Sequence, residues 1–142
     1  MGLYDKFINA INTIDNTLAK PKKPKADPGL KEYSFILKDH FKGYTRFPMV
    51  IYSNKYKTAL INNCKLSDPL PGKEIIFTEC KSEDNQIFVR VFIDNLLIGW
   101  IFEELQIKQL RKIEAVYAMI EIKPHLEEYN KRVNLFVKFK NN

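Results

Sequence analysis

The sequence predicts a small, mainly β domain of the α+β class. The expected form is an antiparallel barrel or strongly bent sheet with one short inserted helix, preceded by an amphipathic helix and a linker. Three observations lead there. Side chains alternate with period two in several segments: Val89, Val91 and Ile93 against Phe88, Arg90 and Phe92, which reads as a strand with two unlike faces, and then residues 116–122 and 132–139. Turn-forming residues separate these segments at short intervals, so successive strands should pair antiparallel. Seven Tyr, ten Phe and many β-branched residues favour sheet over helix.

The length of 142 residues suits one domain with a core that needs neither disulfides nor metals. A hydrophobic content of 45% argues for a packed globule. No apolar run approaches the ~18 residues required to span a bilayer, and no stretch has the build of a secretory signal. Cys64 and Cys80 stand apart with no C-x-x-C. Two free thiols in a reducing, cytoplasmic setting is one reading and a disulfide between them the other, and spacing does not decide between the two. The net charge of +6 is unevenly spread. Residues 20–31 carry +4, 32–60 carry +3, 61–107 carry −4 and 108–142 carry +4. Such a distribution permits a polyanion partner without requiring one.

Three regions are expected: a helix in residues 1–19, a linker in 20–31 and the β domain in 32–142. In the first, Leu3, Phe7, Ile11, Ile14 and Leu18 fall on one stripe at helical spacing, widened by Tyr4 and Ile8. The other face holds Asn, Asp and Thr with almost no basic charge, unlike a membrane-surface helix. The stripe must be buried, on the domain itself or on a second copy of the chain. In the linker, Pro21, Pro24 and Pro28 forbid a helix and favour extended backbone. Its lysines read either as a solvated tether or as a phosphate-contacting arm formed by Lys22, Lys23 and Lys25.

Residues 33–38 alternate as a first strand. Gly43 permits a turn, and residues 49–52 are β-compatible behind Pro48, which marks an edge or a break. Residues 57–65 suit a helical turn, and residues 68–72, DPLPG, form a loop. Residues 74–80 are a strand and 81–85 a polar turn. Residues 86–122 organise the rest as strand, tight turn, strand, short helix, strand. Asp94-Asn95 supplies the turn, since both tolerate positive φ. Gly99 inside the return strand signals a bulge or a close backbone approach. Glu103 and Glu104 suit a helix start, and Lys108, Arg111 and Lys112 its end. Leu105, Ile107, Leu110 and Ile113 give the helix an apolar side. Pro124 stops the next strand, and residues 132–139 carry the cleanest alternation in the chain.

Catalytic constellations do not emerge. His40 and His125 are the only histidines and sit at no metal-binding spacing. Phosphate-cradling glycine motifs and the nucleophile-elbow motif are absent, and Glu103-Glu104 and Glu127-Glu128 read as solvated pairs. No enzyme, cofactor or metal is expected. What remains is a basic and aromatic cluster, Lys42, Tyr44, Arg46 and Phe47, which offers charge for phosphate and ring faces for bases. Core packing of those rings is the competing reading.

The run Gly43-Tyr44-Thr45-Arg46-Phe47, the strand 75–79, the polar turn 82–85, Val89-Arg90-Val91 and Ile98-Gly99-Trp100-Ile101 follow one another in an order that resembles the HIRAN domain, a small β-barrel module. The resemblance covers about residues 34–122, with 132–139 as a closing strand, and is best over 89–101. It implies recognition of single-stranded DNA, specifically a 3′ end, by a stand-alone module. In that family the turn carries an aromatic residue and an Asp that help bind the DNA end. The turn here, residues 79–85, has no aromatic. The expected function is nucleic-acid binding through Lys42, Tyr44, Arg46 and Phe47, assisted by Arg90 and the lysine arm. The alternative is a non-enzymatic protein-interaction module, dimeric through the N-terminal stripe.

Overall fold

The structure, a computed structural model, describes residues 23–50, 65–67, 69–122 and 131–141. The expected helix in 3–18, Lys22, the strand beyond Val50, nearly all of the helical turn at 57–65 and the stop at Pro124 lie outside these residues. The described elements are β1 (Glu32–Ile36), β2 (Thr45–Arg46), β3 (Glu74–Lys81), β4 (Ile87–Ile93), β5 (Leu96–Ile101), α1 (Glu104–Gln109), β6 (Ile113–Ile122) and β7 (Lys131–Phe139).

They form two antiparallel sheets, ordered β1-β3-β4-β5 and β2-β7-β6. The mainly β class with a short inserted helix is as the sequence predicts. The sheets are not closed into a barrel. Among the described residues, two sets of backbone bonds tie them together. Lys38 N–H donates to the Val116 carbonyl at 2.9 Å, and Val50 and Trp100 exchange bonds of 2.7 and 3.0 Å. Pro48 precedes this isolated bridge, and its missing N–H is one reason the β2 side does not continue as a strand.

The inner faces meet in one core. Ile75, Phe77, Val89, Val91 and Ile93 from the first sheet face Val116, Ala118, Val133, Leu135 and Val137 from the second. The core gains its stability from removing this apolar area from water. α1 contributes Ile107 to the core and the 3-10 turn after it contributes Leu110, while Leu105 is 67% exposed. The apolar side expected for the helix is thus narrower, because the chain tightens into a 3-10 turn at Leu110–Lys112 and then enters β6 at Ile113.

The β4–β5 hairpin turns through Asp94 and Asn95 at φ 53° and 64°. Two consecutive positive φ values define the primed turn that matches strand twist. The glycine expectation holds in both senses. The register shifts between Val91 and Phe92, which face Gly99 and Leu97, leaving Ile98 as the extra residue of a bulge. A Cβ on Gly99 would stand 2.8 Å from Met49 Sδ and 3.0 Å from the Val50 carbonyl oxygen.

Residues 23–31 are bound to the domain, unlike the solvated tether that their lysines and prolines suggested. Asp27 N–H donates to the Glu79 carbonyl at 3.1 Å, and the Asp27 carboxylate accepts from Lys81 N–H at 2.8 Å. Ala26 N–H reaches the Glu32 carboxylate at 3.1 Å, and Lys23 pairs with Glu74 at 3.6 Å. Polar backbone that would otherwise be left to water finds partners on the edge of the first sheet.

Candidate nucleic-acid interface

The outer face of the second sheet collects aromatic and basic side chains. Alternation along β6 turns Val116, Ala118 and Ile120 to the core and sends Tyr117, Met119 and Glu121 outward. In β7 the outward set is Arg132, Asn134, Phe136 and Lys138. The register sets Tyr117 opposite Phe136, Met119 opposite Asn134 and Glu121 opposite Arg132. On the far side of β7, Arg46 pairs with Phe136. Two aromatic rings therefore meet across the strands with an arginine beside them.

A third ring is delivered by a tight turn. Tyr44 N–H donates to the Phe41 carbonyl at 2.9 Å, and Gly43 sits at φ 78°, a conformation that a side chain at this position would disfavour. The turn lays Phe41 over the sheet, stacked on Tyr117 with centroids 4.8 Å apart and tilted against Phe136 at 5.2 Å. Tyr117 and Phe136 stand 6.2 Å apart beneath it. Phe41 stays 42% exposed. An aromatic triad whose top ring still faces water is the unusual feature here, since rings of this size are ordinarily core material.

Charge and hydrogen-bonding groups border the triad. The Arg46 guanidinium donates to Asn134 Oδ1 at 3.5 Å, and Asn134 Nδ2 donates to the Glu121 carboxylate at 2.6 Å. This chain orients the exposed Arg46 across the sheet. Lys138 pairs with Glu114 at 3.3 Å and so brings less net charge. At the edge of the face lies a cavity of about 280 Å³ lined by Arg46, Phe47, Pro48, Met49, Val50, Arg132 and Asn134, among others. A wider depression of about 600 Å³ at the end of the first sheet is lined by Leu30, Glu79, Ile87, Phe102, Glu104 and Lys108. Two carboxylates against one ammonium make the second depression the poorer host for a phosphate backbone.

The expected site residues divide between two surfaces. Lys42 and Tyr44 are on the turn that carries Phe41, with Tyr44 edge-on to His40 at 6.5 Å. Arg46 lies on the triad face. Phe47 does not: it is 3% exposed, edge-on to Phe77 and Phe139, and its N–H donates to the Leu135 carbonyl. Core packing has taken that ring off the surface. Arg90 stands on the first sheet, 5.6 Å above the Phe92 ring and donating to the Lys25 carbonyl at 3.3 Å. Lys23 and Lys25 accompany it there, away from the triad. The structure therefore places Arg46 on the triad face and Lys42 and Tyr44 on the turn that carries Phe41, and separates Phe47, Arg90, Lys23 and Lys25 from them.

Phe41, Tyr117, Phe136 and Arg132 are the additions. Their signal was legible in part, because Phe136 interrupts a strand face that is otherwise polar, Arg132, Asn134 and Lys138. Among the described residues no three metal-ligating side chains come together, and no helix is long and apolar enough to cross a membrane. No family model, curated protein or solved structure matches the chain.

Proposed function

We propose that the chain binds single-stranded nucleic acid across the outer face of the second sheet, as a binding module without chemistry of its own. The observation that carries this reading is the Phe41–Tyr117–Phe136 triad with its open top ring and Arg46 beside it. An unpaired base has two free π-faces, and a preformed ring gives it a stacking partner without sequence preference. Arg46 and Arg132, which line the same cavity beside the triad, would supply the charge for phosphates, with Arg46 held by Asn134. A duplex hides its base faces and would gain only the electrostatic part. Recognition of a DNA 3′ end is the narrower form of the proposal, supported by the HIRAN resemblance, with the cavity beside Arg46 and Arg132 as the place for a strand terminus.

The competing reading, a protein-interaction module, draws on the same exposed ring, since an apolar peptide could also cover Phe41. Salt separates them. Each neutralised phosphate gives a log–log slope of about −0.7 for a single strand. Two arginines therefore predict roughly a sevenfold loss of affinity on raising salt from about 50 to about 200 mM. The test is a fluorescence-anisotropy titration with a short labelled single strand at those two concentrations, with and without a 3′ block. Phe136→Ala should weaken binding about 5- to 150-fold, the equivalent of roughly 1–3 kcal/mol for one stacked base. No binding at low salt, or binding indifferent to Phe136→Ala, refutes the proposal. Indifference to the 3′ block removes only the strand-end form.

A further inference from the structure

The first sheet has two buried faces. Ile76, Thr78, Cys80, Phe92, Leu97 and Trp100 point away from the core, and each is 6% exposed or less. None belongs to the core cluster. The covered strip runs over β3, β4 and β5 and stops before β1, where Ile36 on the same side is 57% exposed. It is therefore about 10 Å wide between β3 and β5 and, along the seven residues of β4, about 23 Å long. Those are the dimensions of one helix of about 16 residues, roughly 24 Å by 10 Å.

The described segment bonded over this face is the strap 23–27. Its Lys25 carbonyl accepts from Arg90, which stands on the strip above Phe92. Lys23 reaches Glu74 at the beginning of β3. Followed backwards, the chain leaves the strap on the side of the sheet where the strip lies. Four residues separate Lys23 from Leu18, five steps or at most about 18 Å of extended chain, and Pro21 within them keeps the connection from being helical. Before them come residues 3–18, with the stripe Leu3, Phe7, Ile11, Ile14 and Leu18.

We infer that residues 3–18 of the same chain pack as an amphipathic helix along the outer face of β3–β5, with that stripe seated on Phe88, Phe92, Leu97 and Trp100. The polar Asn and Asp face then looks to water. The helix is an internal cover for the first sheet, not a dimerisation element, and it leaves the triad face of the second sheet open. The inference is independent of the nucleic-acid proposal, because it concerns the other sheet.

Cys80 on the strip is a built-in probe. In a Cys64→Ser background it is the only thiol of the chain. Its labelling by a maleimide should be slow in that full-length protein and at least tenfold faster after Phe7→Glu/Ile11→Glu, while the far-ultraviolet β signature remains. Light scattering should give a monomer. Equal labelling rates with an unchanged melting temperature would overturn the inference and assign the cover to residues 51–64. Protection that disappears on dilution, together with a dimer mass, would overturn it in favour of a second copy. Should the double variant fail to fold, a spin label at Asn9→Cys, on a Cys64→Ser/Cys80→Ser chain, reads the same contact. It should broaden the amides of Phe88, Arg90 and Phe92. Broadening confined to Tyr117 and Phe136, or none at all, would overturn the inference.

Discussion

Replacing Gly99 by alanine tests how the two sheets are joined. The added Cβ would lie 2.8 Å from Met49 Sδ, 3.1 Å from Met49 Cγ and 3.0 Å from the Val50 carbonyl oxygen. A methionine side chain can swing aside, but the carbonyl cannot do so freely. It accepts from Trp100 N–H at 3.0 Å, and Val50 N–H donates to the Trp100 carbonyl at 2.7 Å. Moving Val50 lengthens both bonds, each with a net value of about 1 kcal/mol. Leaving Val50 in place forces overpacking, which typically costs about 1–3 kcal/mol. A destabilisation of about 2 kcal/mol follows by either route, equivalent to a fall in melting temperature of roughly 8–15 °C for a domain of about 100 residues. The assay is urea unfolding of Gly99→Ala, Met49→Ala and the double variant. Removing Met49 should relieve part of the clash, so the double variant should lose less than the two single losses together. A Gly99→Ala protein within about 0.5 kcal/mol of its parent, or losses additive within about 0.5 kcal/mol, refutes the argument from close approach.

Other outcomes follow from the same geometry. Asn95 has φ 64° in a primed turn, so Asn95→Gly should be neutral or slightly stabilising and Asn95→Val destabilising by about 1–2 kcal/mol, read by thermal melts; equal melting temperatures for the two would contradict the turn assignment. Burial pushes the Cys80 thiol above its ordinary value, with the Arg90 charge opposing. The folded state therefore holds that proton when the unfolded chain has released it. The resulting stability is complete below about pH 8.5, the unfolded value, and is lost as pH rises towards the folded one. Burial and the Glu79 carboxylate raise Tyr33 too, with the same sign at higher pH. Urea midpoints should therefore fall from pH 8 to 10, and less so in Cys80→Ala; parallel curves would show that Cys80 contributes nothing to the slope.

Much of the fold was legible because the chain states it locally. The Asp94-Asn95 turn, the Gly99 bulge and the alternation of β7 each follow from residue type and spacing alone. The site was less legible, and Phe47 illustrates why. Alternation shows that neighbours point to opposite faces but not which face meets the core. β2 is only two residues long, too short for its own pattern to decide. Arg46 went outward and Phe47 inward, so only half of that pair reached the surface. The triad needed the β6–β7 register, which places Tyr117 against Phe136, and the loop that carries Phe41 onto them. Neither is encoded by periodicity. Phe88, Arg90 and Phe92 were read as one face of a strand with two unlike sides, whereas both sides of β4 are apolar and covered. Arg90 accordingly bonds the strap and lies over Phe92, on the sheet that does not carry the triad.

The outer face of β6 and β7 is the proposed nucleic-acid surface. Amide chemical-shift mapping of the full chain, titrated with a short single-stranded oligonucleotide at low salt, tests it most directly. Shifts should concentrate at Phe41, Arg46, Tyr117, Met119, Asn134 and Phe136, leave Phe88, Arg90 and Phe92 in place, and shrink as salt is raised. Shifts confined to residues 23–31 and β4, or no shifts at all, would contradict the account.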